Sequence, residues 1–306
     1  MNRPKVLVLL AAYNGAQWID AQLISILNQL HVDLDILVSD DGSTDGTLDR
    51  IAAFAADPRV ILVESEGPSG SAAQNFLRLI RSAPADDYAF VALADQDDVW
   101  NEAKLSRACA MLVSRQADGY SCAVTATWAD GRRSTVSAEP RQTRSDFFFE
   151  SAGQGCTYVL SAGFYRRLRS FLMENPDATA SISYHDWAIY ALSRVWRLSW
   201  CFDATPMMEY RQHGNNDIGA RGSRGGVRRR VALIRNGWYF RQITAIAELC
   251  RLAAPTDPEI ASWCTLLRQT HGVLRRCRIT VFCLRGGRRR FLDKAVLVGA
   301  ALGGYL

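Results

Sequence analysis

The chain has 306 residues, 48% hydrophobic and 22% charged, with a mean hydropathy of -0.07. These values fit a folded globule of one large or two modest domains and exclude a disordered chain, a small disulfide-stapled scaffold and a polytopic membrane protein. The 36 Lys and Arg against 31 Asp and Glu leave a net charge of +5, too mild by itself to indicate nucleic acid.

In chain order, Arg3 and Lys5 precede the apolar run Val6 to Ala12, a pattern that resembles a short signal peptide. The run enters the turn residues Tyr13-Asn14-Gly15 directly, which favours a buried strand. Further strands are expected at 34–39, 60–63 and 88–94, and helices at 16–30, 47–56 and 71–82, where apolar residues recur at helical spacing. This βαβα alternation with apolar strands implies a parallel sheet covered on both faces, with ligands beyond the carboxyl ends of its strands.

Beyond residue 100 the pattern is less regular. A helix is expected at 102–115, a strand at 121–128, a loop from 129 to 145, helices at 162–173 and 184–195, and a strand at 196–202. The eight cysteines form no CxxC pair and no zinc spacing, so they read as reduced, mostly buried thiols of a cytoplasmic protein. No stretch reaches the roughly 18–20 apolar residues that span a bilayer.

Polar residues concentrate where the expected strands end. Strand one leads into Tyr13-Asn14-Gly15, strand two into Asp40-Asp41-Gly42-Ser43-Thr44-Asp45-Gly46, and strand four into Asp95-Gln96-Asp97-Asp98. Carboxylates this close raise one another's pKa, and a bound divalent cation removes the conflict. Hard oxygen ligands suit Mg²⁺ or Mn²⁺, which take their remaining ligands from water and phosphate. The competing reading is an acidic turn capping a helix near Asn101. The segment beginning at Asp41 resembles the start of a calcium loop but has Ala52 where a bidentate Glu is required. It reads better as a turn and cap for a helix at Thr47, with Asp40 and Asp41 directed into the crevice to accept hydrogen bonds from a base or ribose. No G-x-G-x-x-G follows strand one, which argues against a dinucleotide.

A strand ending in A-Y-N-G, then S-D-D-G-S-T-D-G-T and L-A-D-Q-D-D-V-W, resembles a family 2 glycosyltransferase of the GT-A fold. His185-Asp186-Trp187 and the Y-R-Q-H-G-N-N segment at 210–216 narrow the resemblance toward bacterial rhamnosyltransferases. It implies an α/β fold, a GT-A (Rossmann-like) mixed sheet flanked by helices, over residues 1–217, followed by a basic, mainly helical extension over 218–306. It further implies that Tyr13 stacks on the base, that Asn14, Asp40, Asp41 and Asp95 belong to the donor site, and that Asp97, Asp98 and His213 meet a metal. Asp186 matches the acid taken as catalytic base in inverting members, although an acid at a helix start is also a cap. Likewise, a histidine beside Gly214 is also an ordinary turn residue. Many members carry Thr or Pro where Ala11 stands, so a polar contact from that side chain is missing.

The implied reaction moves a sugar from a nucleotide-sugar donor, dTDP-L-rhamnose by resemblance, onto a saccharide or lipid-linked acceptor in surface polysaccharide assembly. A UDP-hexose donor is the alternative within the fold. Arginines 221, 224, 228, 229, 230, 235 and 241, with Trp238-Tyr239-Phe240, and the Arg285–Arg290 run before the apolar end suggest peripheral binding to an anionic membrane surface. The same arginines raise nucleic-acid binding as a rival of another class. The acidic crevice and the absence of a reader motif weigh against that rival.

Overall fold

The computed structural model describes residues 3–64, 67–137, 141–213, 231–269 and 272–306. Arginines 221, 224, 228, 229 and 230 and the end of the Y-R-Q-H-G-N-N segment therefore lie outside the described residues. β1 (Lys5–Ala12), β2 (Asp33–Asp40), β3 (Val60–Leu62) and β4 (Phe90–Asp95) form a parallel half-sheet in the order β3-β2-β1-β4. The expected signal-like run is thus an inner strand. Alternate β1 residues face opposite layers, as the two-residue period of a strand requires. Val6, Val8 and Leu10 pack with α1 (Ile19–Leu27) and α4 (Lys104–Ser114), whereas Leu7 and Leu9 face α3 (Ala72–Ser82), α5 (Ala162–Glu174) and α6 (His185–Val195).

Two of the first-half helices begin where side chains satisfy orphan amides. Asp45 accepts from the Thr47 N–H and hydroxyl ahead of α2 (Thr47–Ala53), and the Ser71 hydroxyl accepts from Gln74 N–H at the start of α3. Parallel register sets Ala12 opposite Asp40 and Ala11 opposite Asp95, so the three acidic or polar loops leave one edge together.

The second half departs from the sequence expectations in three places. Residues 133–136, expected in a loop, form β7 (Arg133–Val136), an antiparallel edge strand on β6 (Gly119–Trp128); its polar, mostly exposed side chains carry no apolar alternation. The strand expected at 196–202 starts later and runs further, as β9 (Trp200–Gln212), because a register shift absorbs Pro206 and lets the ladder continue. The segment after the acidic turn forms β5 (Val99–Trp100) against β9 before α4 begins, with Asn101 accepting from Ala103 N–H. The antiparallel β8 (Val159–Ser161) joins β4 to β6 and completes a mixed sheet.

The C-terminal helices α7 (Trp238–Ala253), α8 (Pro258–Arg268), α9 (Val273–Gly286) and α10 (Phe291–Leu302) share a hydrophobic core with the sheet layer. Tyr239 is buried, donating to the Phe149 carbonyl at 2.9 Å and stacking near Trp187, so it belongs to the core rather than to a lipid-facing surface. Among the described residues no helix is long and apolar enough to cross a membrane. All eight cysteines are free, and only Cys277 is exposed.

Candidate active site

The carboxyl edge of β1, β2 and β4 opens into a cleft of about 700 Å³. One wall comes from the loops after β1 and β2 and the start of α3. The opposite wall comes from residues 150–155, the start of α6 and, unexpectedly, Arg289 and Arg290 of the extension. Asp95 and Asp97 lie between them.

The first two loops are laced together before any ligand arrives. Ser43 Oγ accepts from Asn14 N–H at 2.8 Å, and Asn14 Oδ1 accepts from Thr44 N–H at 2.9 Å. Asn14 thereby holds the turn that leaves Tyr13 56% exposed on the cleft wall. Gln96, the middle residue of the D-x-D segment, grips the Tyr13 backbone from both sides, accepting from its N–H and donating to its carbonyl, each at 2.6 Å. A Cβ at Gly15 would collide with Gln96, so glycine is what permits this grip.

Asp40 and Asp41 diverge, because consecutive residues leave a strand on opposite sides. Asp40 does not face the cleft as expected: its carboxylate accepts from Gly42 and Ser43 N–H groups and the Ser43 hydroxyl, closing its own loop. Asp41 does line the cleft, held by Ser69 and Gly70 N–H groups and by Arg78 at 3.1 Å. Asn75 Oδ1 accepts from the same guanidinium and from Ser39, fixing Arg78 in turn.

The acidic segment after β4 is divided by burial. Asp95 and Asp97 line the cleft, and Asp97 Oδ2 lies 2.7 Å from His213 Nε2. The His213 ring stacks on Trp18 at 4.2 Å between centroids, so β9 and the start of α1 set its plane. Asp98, expected among the metal residues, is fully buried outside the cleft lining. Burial, reinforced by Asp97 and Asp95, pushes its carboxyl well above the usual carboxylate range. Asp95, Asp98 and the Cys156 thiol lie within 4.8 Å of one another, but burial holds that thiol protonated and ill suited to a hard cation. Beneath them Lys104 packs its ammonium 3.3 Å from the Trp100 ring centre, and burial lowers its pKa to about 8.

Asp186 occupies the first turn of α6, with one carboxylate oxygen accepting Trp187 N–H at 2.7 Å. The residue before the helix makes no side-chain cap, and Asp186 faces the cleft instead. Burial pushes its pKa up to about 6, opposed by the hydrogen bond from Trp187 N–H. Its neighbour His185 is stacked on Phe76 at 4.0 Å, and burial lowers its pKa to about 3, leaving it neutral. Gln96, Trp18, Asn75 and Arg78 escaped the sequence reading. For the last two, the signal was an i, i+3 polar pair within an otherwise apolar α3 face.

The family model for glycosyl transferase family 2 matches residues 7–174. Over 240 residues the chain is 40% identical to the dTDP-rhamnosyl transferase RfbG of Shigella flexneri, covering 78% of this chain and 83% of that protein. It is 30% identical over 108 residues, 35% of this chain and 41% of the relative, to a protein of Escherichia coli named UDP-Glc:alpha-D-GlcNAc-diphosphoundecaprenol beta-1,3-glucosyltransferase WfgD. Among solved structures, residues 1–349 of S. aureus TarS match with a TM-score of 0.55 at 16% identity, covering 98% of this chain and 80% of that one. The mannosyltransferase PcManGT from Pyrobaculum calidifontis, in complex with GDP-Man and Mn²⁺, matches with a TM-score of 0.51 at 18% identity, covering 98% and 86%. The chain therefore belongs to glycosyl transferase family 2 and is a glycosyltransferase of the GT-A fold.

Proposed function

We propose that this glycosyltransferase moves L-rhamnose from dTDP-L-rhamnose onto a saccharide or lipid-linked saccharide by a single inverting displacement, in cell-surface polysaccharide assembly. The observation that carries the reading is one cleft with the Asp97–His213 pair on its floor and, on the acceptor wall, a cleft-facing Asp186 whose pKa is about 6. A base is most effective when its pKa lies near the working pH. The rhamnosyl donor is supported by the 40% identity to a protein named for dTDP-rhamnose.

In this reading Tyr13 stacks on the thymine and Asp41, steadied by Arg78, accepts from the base N–H. Asn14 and Asp40 act by shaping the loops. Asp97 and His213 converge within hydrogen-bond distance, and with Asp95 they offer the oxygen-rich donor set that suits Mg²⁺ or Mn²⁺. A cation held there supplies neutralisation of the charge on the departing diphosphate. Asp98, buried with its carboxyl pushed well above the usual carboxylate range, supports this floor from below. Asp186 takes the proton of the acceptor hydroxyl, and the neutral His185 packs behind it without competing for that proton.

Residues 1–217 are the catalytic unit in this reading, and Arg289 and Arg290 of the 218–306 extension complete its wall. A cytoplasmic enzyme at the inner face of the membrane is supported by Phe291 and Leu292, 81% and 77% exposed, next to cleft-lining Arg290. Val273, Leu274 and Leu284 add exposed apolar surface on α9. A UDP-hexose donor is the second reading, favoured by the relative named for UDP-Glc. Calorimetric titration of the full chain with dTDP-L-rhamnose, UDP-glucose and GDP-mannose, each with Mn²⁺, tests the choice. The tightest binding is expected for dTDP-L-rhamnose, and preference for UDP-glucose would replace it with the second reading.

A further inference from the structure

The acidic segment after β4 is held by side chains from both of its neighbours in the cleft. Gln22, fully buried on α1, donates to the Asp95 carbonyl at 2.8 Å, and Gln96 grips the Tyr13 backbone. From the end of β9, Arg211 donates to the Asp97 carbonyl at 3.1 Å. These bonds fix the backbone that carries Asp95 and Asp97. None of them acts on the imidazole of His213, which follows the last residue of β9.

That ring is covered by Trp18 instead. The two rings lie 4.2 Å apart between centroids and within 10° of parallel, and both residues line the cleft. Trp18 is itself anchored: its N–H donates to the Gly15 carbonyl at 2.8 Å, and its carbonyl accepts from Gln22 N–H at 3.2 Å as α1 begins. The turn before it is tied to the loop after β2, with Gly15 N–H donating to Thr47 Oγ1 at 2.8 Å and Ala16 N–H to Asp45 Oδ2 at 3.0 Å. One face of the imidazole therefore rests on a fixed wall. A flat aromatic contact of this kind restrains the last side-chain torsion of histidine, which is otherwise broad.

We propose that Trp18 is a positioning residue for the metal seat: its indole holds the His213 ring in the plane that points Nε2 at Asp97. The proposal rests on the reading of Asp97 and His213 as metal ligands. Nε2 lies 2.7 Å from Asp97 Oδ2, so a hydrogen bond also orients the ring. Once Nε2 gives its lone pair to a cation that bond is lost, whereas the stack uses only the ring face and persists. Trp18 thereby keeps His213 arranged for the cation before and after binding. Groups that orient a ligating histidine usually contribute about 10–100-fold to metal affinity.

The test measures by calorimetry the affinity of the full chain for dTDP and for UDP, in EDTA and in Mn²⁺, and takes the tighter nucleotide as probe. The quantity read is the gain in affinity that Mn²⁺ brings. Trp18→Ala is expected to reduce that gain about tenfold while leaving the affinity in EDTA unchanged. Trp18→Phe, which keeps a flat ring, is expected to restore most of the gain. His213→Ala is expected to lose at least as much as Trp18→Ala, with little further loss in the double variant because both act through one imidazole. A wild-type gain in Trp18→Ala, alongside a reduced gain in His213→Ala, overturns this proposal and leaves the metal reading standing. An equal loss by Trp18→Ala in EDTA and in Mn²⁺ has the same consequence, since the indole would then serve the nucleotide or the turn. A wild-type gain in His213→Ala, or no gain in the wild type, overturns both.

Discussion

Replacing Asp186 with Asn separates catalysis from stability in opposite directions. The amide keeps the shape and can still accept from Trp187 N–H, but it has no basic oxygen for the acceptor proton. Turnover is expected to fall by about 10²–10⁴-fold, the usual contribution of a positioned acid–base group. The folded-state pKa of about 6 lies above the ordinary Asp value of 3.8, so ionised Asp186 costs the fold roughly 3 kcal/mol before screening by water in the cleft. That cost is absent below about pH 4, grows as the pH rises, and is complete above about pH 6. The Asn variant should therefore be more stable than wild type at pH 7.5 by about 1–2 kcal/mol, a gain of a few degrees in Tm, and the gain should disappear toward pH 4. Paired assays of dTDP release and thermal melting check both limbs. Near-normal turnover would refute the base assignment, and a Tm loss with weakened donor binding would return Asp186 to a structural role.

Chelation with excess EDTA should abolish transfer, and Mn²⁺ or Mg²⁺ should restore it; full activity in chelator would remove the metal from the account. Gly155→Ala should lower kcat about 10–100-fold with a smaller effect on donor affinity, because the added methyl must displace His185, which is clamped on Phe76, and with it the Asp186 backbone. An unchanged kcat would show that this contact yields without moving the site. Replacing Phe291 and Leu292 with Asp should reduce co-flotation with anionic vesicles by at least about tenfold while leaving dTDP-rhamnose hydrolysis in water intact. If the intact chain fails to float at low salt, the membrane contact is wrong.

The first hundred residues were legible because their signals are local. Val6 to Ala12 is uniformly apolar, Ser71 precedes a helical stripe, and the polar loops fall one strand apart. Asp40 and Asp41 were not separable in the same way, since the sequence places both at a strand end and only the hydrogen bonds of Gly42 and Ser43 reveal which one turns away. Asp98 was not separable from its neighbours for a related reason. Its neighbours Asp95 and Asp97 line the cleft, while Asp98, just ahead of β5, is fully buried. Strand β7 lacks apolar alternation and β9 contains Pro206, so neither announced its extent. The role of Arg288 and Arg289 was hidden most deeply. An arginine run near a chain end reads as a solvated or lipid-facing surface, and only tertiary structure pairs it with Asp146 and Glu150.

The central claim is that this cleft transfers L-rhamnose from dTDP-L-rhamnose with inversion. Its most direct test is a competition assay in which the full chain, Mn²⁺ and a bacterial lipid extract receive equal concentrations of dTDP-L-rhamnose and UDP-glucose, and the new glycosidic bond is read by NMR. The account predicts rhamnose in the product, in the anomeric configuration opposite to that of the donor. Glucose in the product, or retention of the donor's configuration, would contradict it.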